Sequence, residues 1–148
     1  MLNETDFAEE ADSCNVASPA AITLQQGGSG PQVFGRISEG DTTVTQGSGK
    51  APDVAAQFGY GPNGSDPRGN PVWNWVPAAY SGDVPFGTET HDEYVTTFTA
   101  PAPGEYRYTY RFSLNGGAGW TYCDLNGAGS DPGATFELNQ LPPMTITP

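Results

Sequence analysis

The chain has 148 residues, which suits one domain with a hydrophobic core of its own. Acidic residues outnumber basic ones by 17 to 5, and the resulting formal net charge of -12 repels nucleic-acid phosphates and anionic lipids. No apolar run approaches the roughly 20 residues that a membrane-spanning helix needs. We therefore expect no nucleic-acid partner and no membrane insertion.

The first segment in chain order is acidic. Residues 5–13 combine four carboxylates with apolar residues at helical spacing, so a short helix and an extended leader both fit. The start lacks the basic and apolar regions of a signal peptide, which fits a cytosolic protein or an excised piece of an exported one. The single lysine, Lys50, and the many Gly, Thr, Ser and Asn residues favour export. We predict an acidic N-terminal arm over 1–15 and a β-domain over 16–148, secreted or at the cell surface.

Beyond the arm, short apolar segments follow one another at fairly even spacing between glycine- and proline-rich turns, a pattern that predicts strands. No stretch longer than ten residues keeps a helical period. The predicted strands are 20–24, 32–37, 42–45, 54–60, 72–78, 93–99, 105–114, 120–125 and 143–147. The clearest hairpin joins 105–114 to 120–125 across a glycine-rich turn.

The strand over 105–114 has the most regular pattern. Aromatic and polar side chains alternate in the run Tyr106, Arg107, Tyr108, Thr109, Tyr110, Arg111 and Phe112. One face is therefore aromatic and the other polar, and we assign the aromatic face to the core. The two arginines could hold an anion or pair with neighbouring carboxylates. The Pro-Gly turn before Tyr106 is typical of the tyrosine corner in immunoglobulin-like sandwiches.

Two cysteines, Cys14 and Cys123, lie far apart in the chain. Neither belongs to a C-x-x-C pair, so zinc and thioredoxin chemistry lack support. In an exported domain two cysteines usually pair, which predicts a disulfide between the arm and a late strand. Two buried free thiols in a cytosolic protein are the alternative.

Catalysis has little support in the sequence. The one histidine, His91, accompanies no G-x-S-x-G elbow, and no pair of carboxylates stands out among the 17 acidic residues. We expect no enzyme activity and no cofactor. Calcium remains open, because the loops 63–66 and 124–131 carry Asp, Asn and Ser oxygens without matching the EF-hand pattern. Asp and Asn in such turns ordinarily bond to their own backbone.

Aromatic pairs are the candidate ligand-binding residues. Trp73 and Trp75 share a face on a strand, and so do Trp120 and Tyr122. Exposed Trp and Tyr rings can stack on sugar rings while nearby polar groups bond to the hydroxyls. Each pair belongs either to the core or to the surface. For the tryptophan pair, Val72 and Val76 compete for the inner face of the strand.

Four segments carry a resemblance: 57–67 (QFGYGPNGSDP), 73–78 (WNWVPA), 92–94 (DEY) and 120–127 (WTYCDLNG). Together they resemble an uncharacterised, immunoglobulin- or fibronectin-III-like module of exported bacterial proteins, including those of myxobacteria. The likeness runs from about residue 11 to residue 148. The order of a tryptophan strand, Asp-Glu-Tyr, Pro-Gly-Glu-Tyr and a second tryptophan strand is also similar to starch-binding β-sandwich modules.

The expected fold is an all-β, immunoglobulin- or fibronectin-III-like sandwich of seven to nine antiparallel strands with an N-terminal arm. The leading functional hypothesis is a non-catalytic accessory module that binds carbohydrate through exposed tryptophans. Its partners would be a polysaccharide and a fused catalytic domain. The alternative is a structural, adhesion or filament-forming surface subunit, whose arm would complete a sheet in another copy of the chain.

Overall fold

The structure is a computed structural model that describes residues 13–38, 54–86, 89–113, 120–123 and 141–148. These ranges hold ten strands: β1 (Ser13–Ser18), β2 (Ile22–Gln25), β3 (Val33–Ser38), β4 (Ala55–Pro62), β5 (Asn74–Pro77), β6 (Ala79–Phe86), β7 (Glu89–Thr96), β8 (Gly104–Ser113), β9 (Thr121–Tyr122) and β10 (Pro143–Thr147). The described ranges contain no helix, so the predicted all-β class is confirmed. No segment within them qualifies as a membrane-spanning helix.

The strands form two sheets. The four-stranded sheet has the order β1-β3-β7-β6 and is antiparallel throughout. The six-stranded sheet has the order β2-β10-β8-β4-β5, and β9 also pairs with β8. Its β2–β10 pair is parallel, which differs from the expectation of antiparallel strands only. Strand β4 pairs with one edge of β8. Strands β10 and β9 both pair with the opposite edge, β10 near the start of β8 and β9 near its end.

The core lies between the two sheets. The aromatic face of β8 points inward as predicted, and Tyr108, Tyr110 and Phe112 are fully buried. The Tyr110 hydroxyl crosses to the four-stranded sheet and donates a hydrogen bond of 2.6 Å to the carbonyl oxygen of Val33. Beside it a methyl group at Gly35 would come within 2.4 Å of the Tyr110 ring, so glycine is required for this close approach.

The predicted disulfide is present and joins the sheets. Cys14 lies in β1 and Cys123 directly after β9, and both side chains are buried. The N–H of Cys123 donates to the carbonyl oxygen of Tyr110 at 3.0 Å, which fixes the end of β9 against β8. The arm predicted over 1–15 overlaps β1, which begins at Ser13; residues 1–12 lie outside the described ranges, so the arm itself stays a prediction.

The predicted β8–β9 hairpin is confirmed, since β9 pairs antiparallel with Arg111 and Phe112. Strand β6 has no counterpart among the predicted strands. It contains Gly82 and Pro85, and these residue types are typical of turns rather than strands. The short strand predicted at 42–45 lies outside the described residues.

The tyrosine corner before β8 forms as the sequence predicts. The Tyr106 hydroxyl donates a hydrogen bond of 2.7 Å to the carbonyl oxygen of Ala102, four residues upstream. We expect Tyr106→Phe to lower the free energy of unfolding by about 1 kcal/mol, because it removes this bond and little else. Tyr60→Phe is the matched control, since the Tyr60 hydroxyl has no hydrogen-bond partner in the described structure. Urea unfolding monitored by fluorescence compares the two variants, and equal stabilities would contradict the role of the corner.

Candidate functional site

The outer face of the six-stranded sheet carries one aromatic cluster. Its members, here called the tryptophan cluster, are Trp73, Trp75, Arg111, Trp120 and Tyr122. They come from β5 and the residue before it, from the polar face of β8, and from β9 and the residue before it. Ring centroids lie 5.8 Å apart for Trp73 and Trp75, and 5.9 Å apart for Trp75 and Tyr122. The structure thus brings together all four predicted ligand-binding rings.

Two glycines of β4 make room for the tryptophan pair. A methyl group at Gly59 would lie 2.4 Å from the Trp75 indole, and one at Gly61 would lie 2.5 Å from the Trp73 indole. The indoles therefore lie directly against the β4 backbone. Val76 packs against the core, so the tryptophans take the outer face of the sheet. Of the two valines that compete with the tryptophans in the sequence, Val76 therefore faces the core, whereas Val72 is exposed.

Trp73 is buried despite its place on the outer face. Only 4% of its surface is exposed. Its Nε1–H donates a hydrogen bond of 2.9 Å to the Ser65 hydroxyl, which in turn donates to the carbonyl oxygen of Pro62. The turn after β4 thus anchors Trp73, while the neighbouring Val72 is 55% exposed. Trp73 is a support for the cluster rather than an open ring.

Arg111 is at the centre of the cluster. Its guanidinium carbon lies 4.1 Å from the centroid of the Trp75 ring and 4.3 Å from that of Trp120. Trp75 therefore contacts the guanidinium as well as the Gly59 backbone, and its ring remains half-buried. Its Nε donates to the Gln57 side-chain oxygen at 2.8 Å, and Nη1 donates to the Tyr122 hydroxyl at 3.2 Å. Each such cation–π contact contributes about 0.5–2 kcal/mol.

Trp120 and Tyr122 keep part of their surface open to solvent. The Arg111 guanidinium lies over the Trp120 ring. The Tyr122 ring stands at 66° to Trp75 and meets it edge to face. Trp75 is half-buried as well, so three rings of the cluster, Trp75, Trp120 and Tyr122, keep surface that a ligand can reach.

The two arginines of β8 are held by neutral groups. Arg107 donates to the Asn63 side-chain oxygen at 2.9 Å and to the carbonyl oxygen of Leu141. Across the described ranges neither Arg107 nor Arg111 forms a salt bridge; the salt bridges found there are Arg36–Glu93 and Arg68–Asp66. Pairing of these arginines with carboxylates, an alternative left open by the sequence, does not occur in this part of the chain.

In the predicted calcium loop at 63–66, the Asp66 carboxylate accepts hydrogen bonds from a nearby protein side chain. Arg68 donates hydrogen bonds to Asp66, and these lower the pKa of the Asp66 carboxyl group. No group of three metal-ligating side chains occurs in the described residues. The second loop, 124–131, and the side chain of His91 lie outside the described structure.

The close contact at Gly59 gives a direct prediction. We expect Gly59→Ala to lower the free energy of unfolding by about 1–3 kcal/mol, because the new methyl group forces the Trp75 ring away from the sheet. Gly82→Ala is the matched control, since a methyl group there meets no atom within 4 Å. Urea unfolding compares the stabilities, and near-ultraviolet circular dichroism reports the displaced indole. An unchanged tryptophan signal in Gly59→Ala would contradict the contact.

Comparison with known proteins links the chain to carbohydrate-active enzymes through a short region. No family model matches the chain. It is similar to an amylopullulanase from Thermoanaerobacter thermohydrosulfuricus, with 37% identity over 76 residues. The match covers 51% of this chain and only 4% of that enzyme, so about half of the chain is similar to a small segment of its relative.

Proposed function

We propose that the chain is a non-catalytic accessory module of an exported bacterial protein, and that it binds carbohydrate through the tryptophan cluster. The supporting observation is the arrangement of the cluster, in which Arg111 contacts three half-buried rings, Trp75, Trp120 and Tyr122. Trp120 and Tyr122 can stack against the apolar faces of sugar rings. Since Arg111 already fixes both side chains, little conformational freedom is lost when a ligand binds.

The similarity to an amylopullulanase supports the same proposal. It favours association with a polysaccharide, or fusion to a catalytic domain, over an isolated structural role. Pullulan and soluble starch are therefore the first glycans to test. The buried disulfide fits an oxidising compartment, which supports a location outside the cell.

We further propose that the fold is of the immunoglobulin-like type. The order β1-β3-β7-β6 matches the strand order A-B-E-D, and β10-β8-β4 matches G-F-C. The tyrosine corner before β8 supports this assignment. The disulfide differs from the usual one, because it joins the first strand to the segment between β8 and β10.

Affinity gel electrophoresis tests carbohydrate binding. The gels contain pullulan, soluble starch, barley β-glucan, xylan or pectin, and the variants are Trp120→Ala and, as control, Val72→Ala. Val72 is the matched control because it is exposed and apolar but lies outside the cluster. We expect one glycan to retard the wild type and Val72→Ala but not Trp120→Ala. Absence of retardation by any glycan would contradict the proposal.

The second candidate function is a surface subunit that assembles through the arm. It is favoured by the position of β1, which is one of the two edge strands of the four-stranded sheet within the described structure and follows residues 1–12 of the arm. An open strand edge can accept a strand from another chain. Light scattering over a range of concentrations tests this function. Assembly that disappears on deletion of residues 1–12 would favour it, and a monomer at all concentrations would exclude it.

A further inference from the structure

We infer that the Cys14–Cys123 disulfide is a positioning element of the tryptophan cluster, so that the cluster binds its glycan only when the two cysteines are oxidised. The inference rests on the proposed carbohydrate-binding function and adds a redox condition to it. Both cysteine side chains are buried, so they act through the aromatic rings and do not touch the glycan.

Two rings of the cluster lie on the short segment that ends at the disulfide. Trp120 and Tyr122 belong to residues 120–123, where the strand β9 is only two residues long and Cys123 follows it directly. The Cys123 N–H donates to the carbonyl oxygen of Tyr110 at 3.0 Å. The Cys123 carbonyl oxygen accepts a hydrogen bond from the Thr109 hydroxyl. Cys123 therefore attaches the segment to β8 next to the two rings.

The two ends of the bridge are held in the fold to different degrees. Cys14 lies in β1, which pairs with β3 at five positions between Ser13 and Ser18. Strand β9 pairs with β8 at two positions, opposite Arg111 and Phe112. A strand of two residues contributes little pairing of its own. The bridge therefore ties a weakly paired segment to a well-paired strand of the other sheet.

The rings of this segment reach the rest of the cluster through noncovalent contacts. Arg111 Nη1 donates to the Tyr122 hydroxyl at 3.2 Å, and the guanidinium carbon lies 4.3 Å from the centroid of the Trp120 ring. Each such contact contributes less than a disulfide between cysteines 109 residues apart. Without the bridge the segment gains conformational freedom, and a glycan must restrict that freedom again in order to bind. Opening the disulfide should therefore lower the affinity for the glycan.

The redox step is an exchange of two electrons with a dithiol. One thiolate of dithiothreitol attacks a sulfur of the bridge, and its second thiolate then displaces the protein sulfur from the mixed disulfide. The protein gains two electrons and two protons, and dithiothreitol becomes a cyclic disulfide. Cytosolic thiol pools keep cysteines reduced, whereas compartments outside the cell oxidise them. The module would thus bind glycan after export and not before.

Oxidation and glycan binding must influence each other by the same factor. If reduction weakens binding by about tenfold, saturating glycan lowers the reduction potential of the bridge by about 30 mV. Equilibration with dithiothreitol buffers, with and without the glycan that binds, measures this shift. An unshifted potential would overturn the coupling.

Affinity electrophoresis of four samples of the full chain tests the inference directly. They are oxidised wild type, wild type refolded with dithiothreitol, the double variant Cys14→Ser/Cys123→Ser and the control Met144→Ala. The gels contain pullulan, soluble starch, barley β-glucan, xylan or pectin. All samples contain trimethylamine N-oxide, which favours the compact state and so helps the bridge-free samples to fold. Met144 is the matched control, because it is buried in the core and pairs with Tyr106 near the start of β8, whereas the bridge lies near its end.

We expect oxidised wild type and Met144→Ala to bind one glycan alike. Both bridge-free samples should bind it more than about tenfold more weakly, while far-ultraviolet circular dichroism shows them folded. In nitrogen–proton NMR spectra without glycan, the indole N–H signal of Trp120 should move on reduction, and that of the buried Trp73 should not.

Folded bridge-free samples that bind within about threefold of oxidised wild type would overturn the inference and leave carbohydrate binding standing. An equal loss of binding in Met144→Ala would overturn it as well, because stability alone would then explain the effect. Bridge-free samples that stay unfolded would make the disulfide a requirement of the whole fold and contradict its specific role at the cluster. Oxidised wild type that binds none of the glycans would overturn the proposed function together with this inference.

Discussion

Replacing Cys14 and Cys123 with serine is expected to lower the free energy of unfolding by about 4–5 kcal/mol. The two cysteines are 109 residues apart, so their bridge closes most of the chain into one loop and strongly restricts the unfolded state. For a chain of this length the loss corresponds to a fall in Tm of roughly 10–20 °C. Loss of the bridge should also weaken the pairing of β9. This strand is only two residues long, and a hydrogen bond from Cys123 fixes its end against β8.

Differential scanning calorimetry of the double variant and of wild type checks this prediction. A single Cys14→Ser variant should lose about as much stability, because a lone Cys123 thiol does not restrict the unfolded chain. Wild type reduced in denaturant and refolded under reducing conditions provides a second comparison without mutation. A loss below about 1 kcal/mol in all three samples would show that the bridge constrains little.

Alkaline pH is expected to unfold the protein steeply, because three tyrosines are buried in the core. Burial raises the pKa of Tyr94, Tyr108 and Tyr110 above the usual value near 10, and the charge of Asp92 adds to the effect at Tyr94. Below pH 10 the tyrosines are protonated in both states, so their contribution to stability is constant. Above pH 10 the unfolded chain loses these protons while the folded chain keeps them, so stability falls. With three groups the slope approaches about 4 kcal/mol per pH unit.

Urea unfolding between pH 8 and pH 11.5 measures this slope. Tyr94→Phe is the informative variant, because the Tyr94 hydroxyl has no hydrogen-bond partner in the described structure. It should leave stability at pH 8 nearly unchanged and reduce the alkaline slope by about 1.4 kcal/mol per pH unit. A slope unaffected by Tyr94→Phe would mean that this tyrosine ionises freely in the folded protein.

The sequence predicts the central strand of the core because its pattern is unambiguous. Aromatic residues at every second position of β8 leave one consistent choice of inner face, and Tyr108, Tyr110 and Phe112 are buried accordingly. The tyrosine corner is equally local, since it requires only a turn and a tyrosine a few residues later. Features of this kind can be predicted from the local sequence alone, because they do not depend on contacts with distant residues.

Strand β6 and the faces of the tryptophans depend on distant contacts, and the sequence alone leaves them open. Strand β6 is stabilised by pairing with β7 in spite of its glycine and proline, so its own composition is a poor guide. The face of Trp75 is decided by Gly59 on the neighbouring strand. Glycines at every second position of β4, Gly59 and Gly61, were the available signal, because they mark a face that receives large rings from elsewhere.

The role of Arg111 also could not be derived from the sequence. Its position on the polar face of β8 suggested an anion or a carboxylate partner. Its actual neighbours are the rings of Trp75 and Trp120, which reach it from other segments of the chain. Only the pairing of β9 with β8 brings Trp120 and Tyr122 to this arginine.

The indole N–H signals in nitrogen–proton NMR spectra offer the most direct test of carbohydrate binding by the tryptophan cluster. The chain contains three tryptophans, so three signals are expected, and single Trp→Phe variants assign them. We predict that titration with pullulan or soluble starch oligosaccharides moves the signals of the half-buried Trp75 and Trp120, and leaves that of the buried Trp73 nearly fixed. Three unmoved signals at millimolar concentrations of every soluble glycan tested would contradict carbohydrate binding at this cluster.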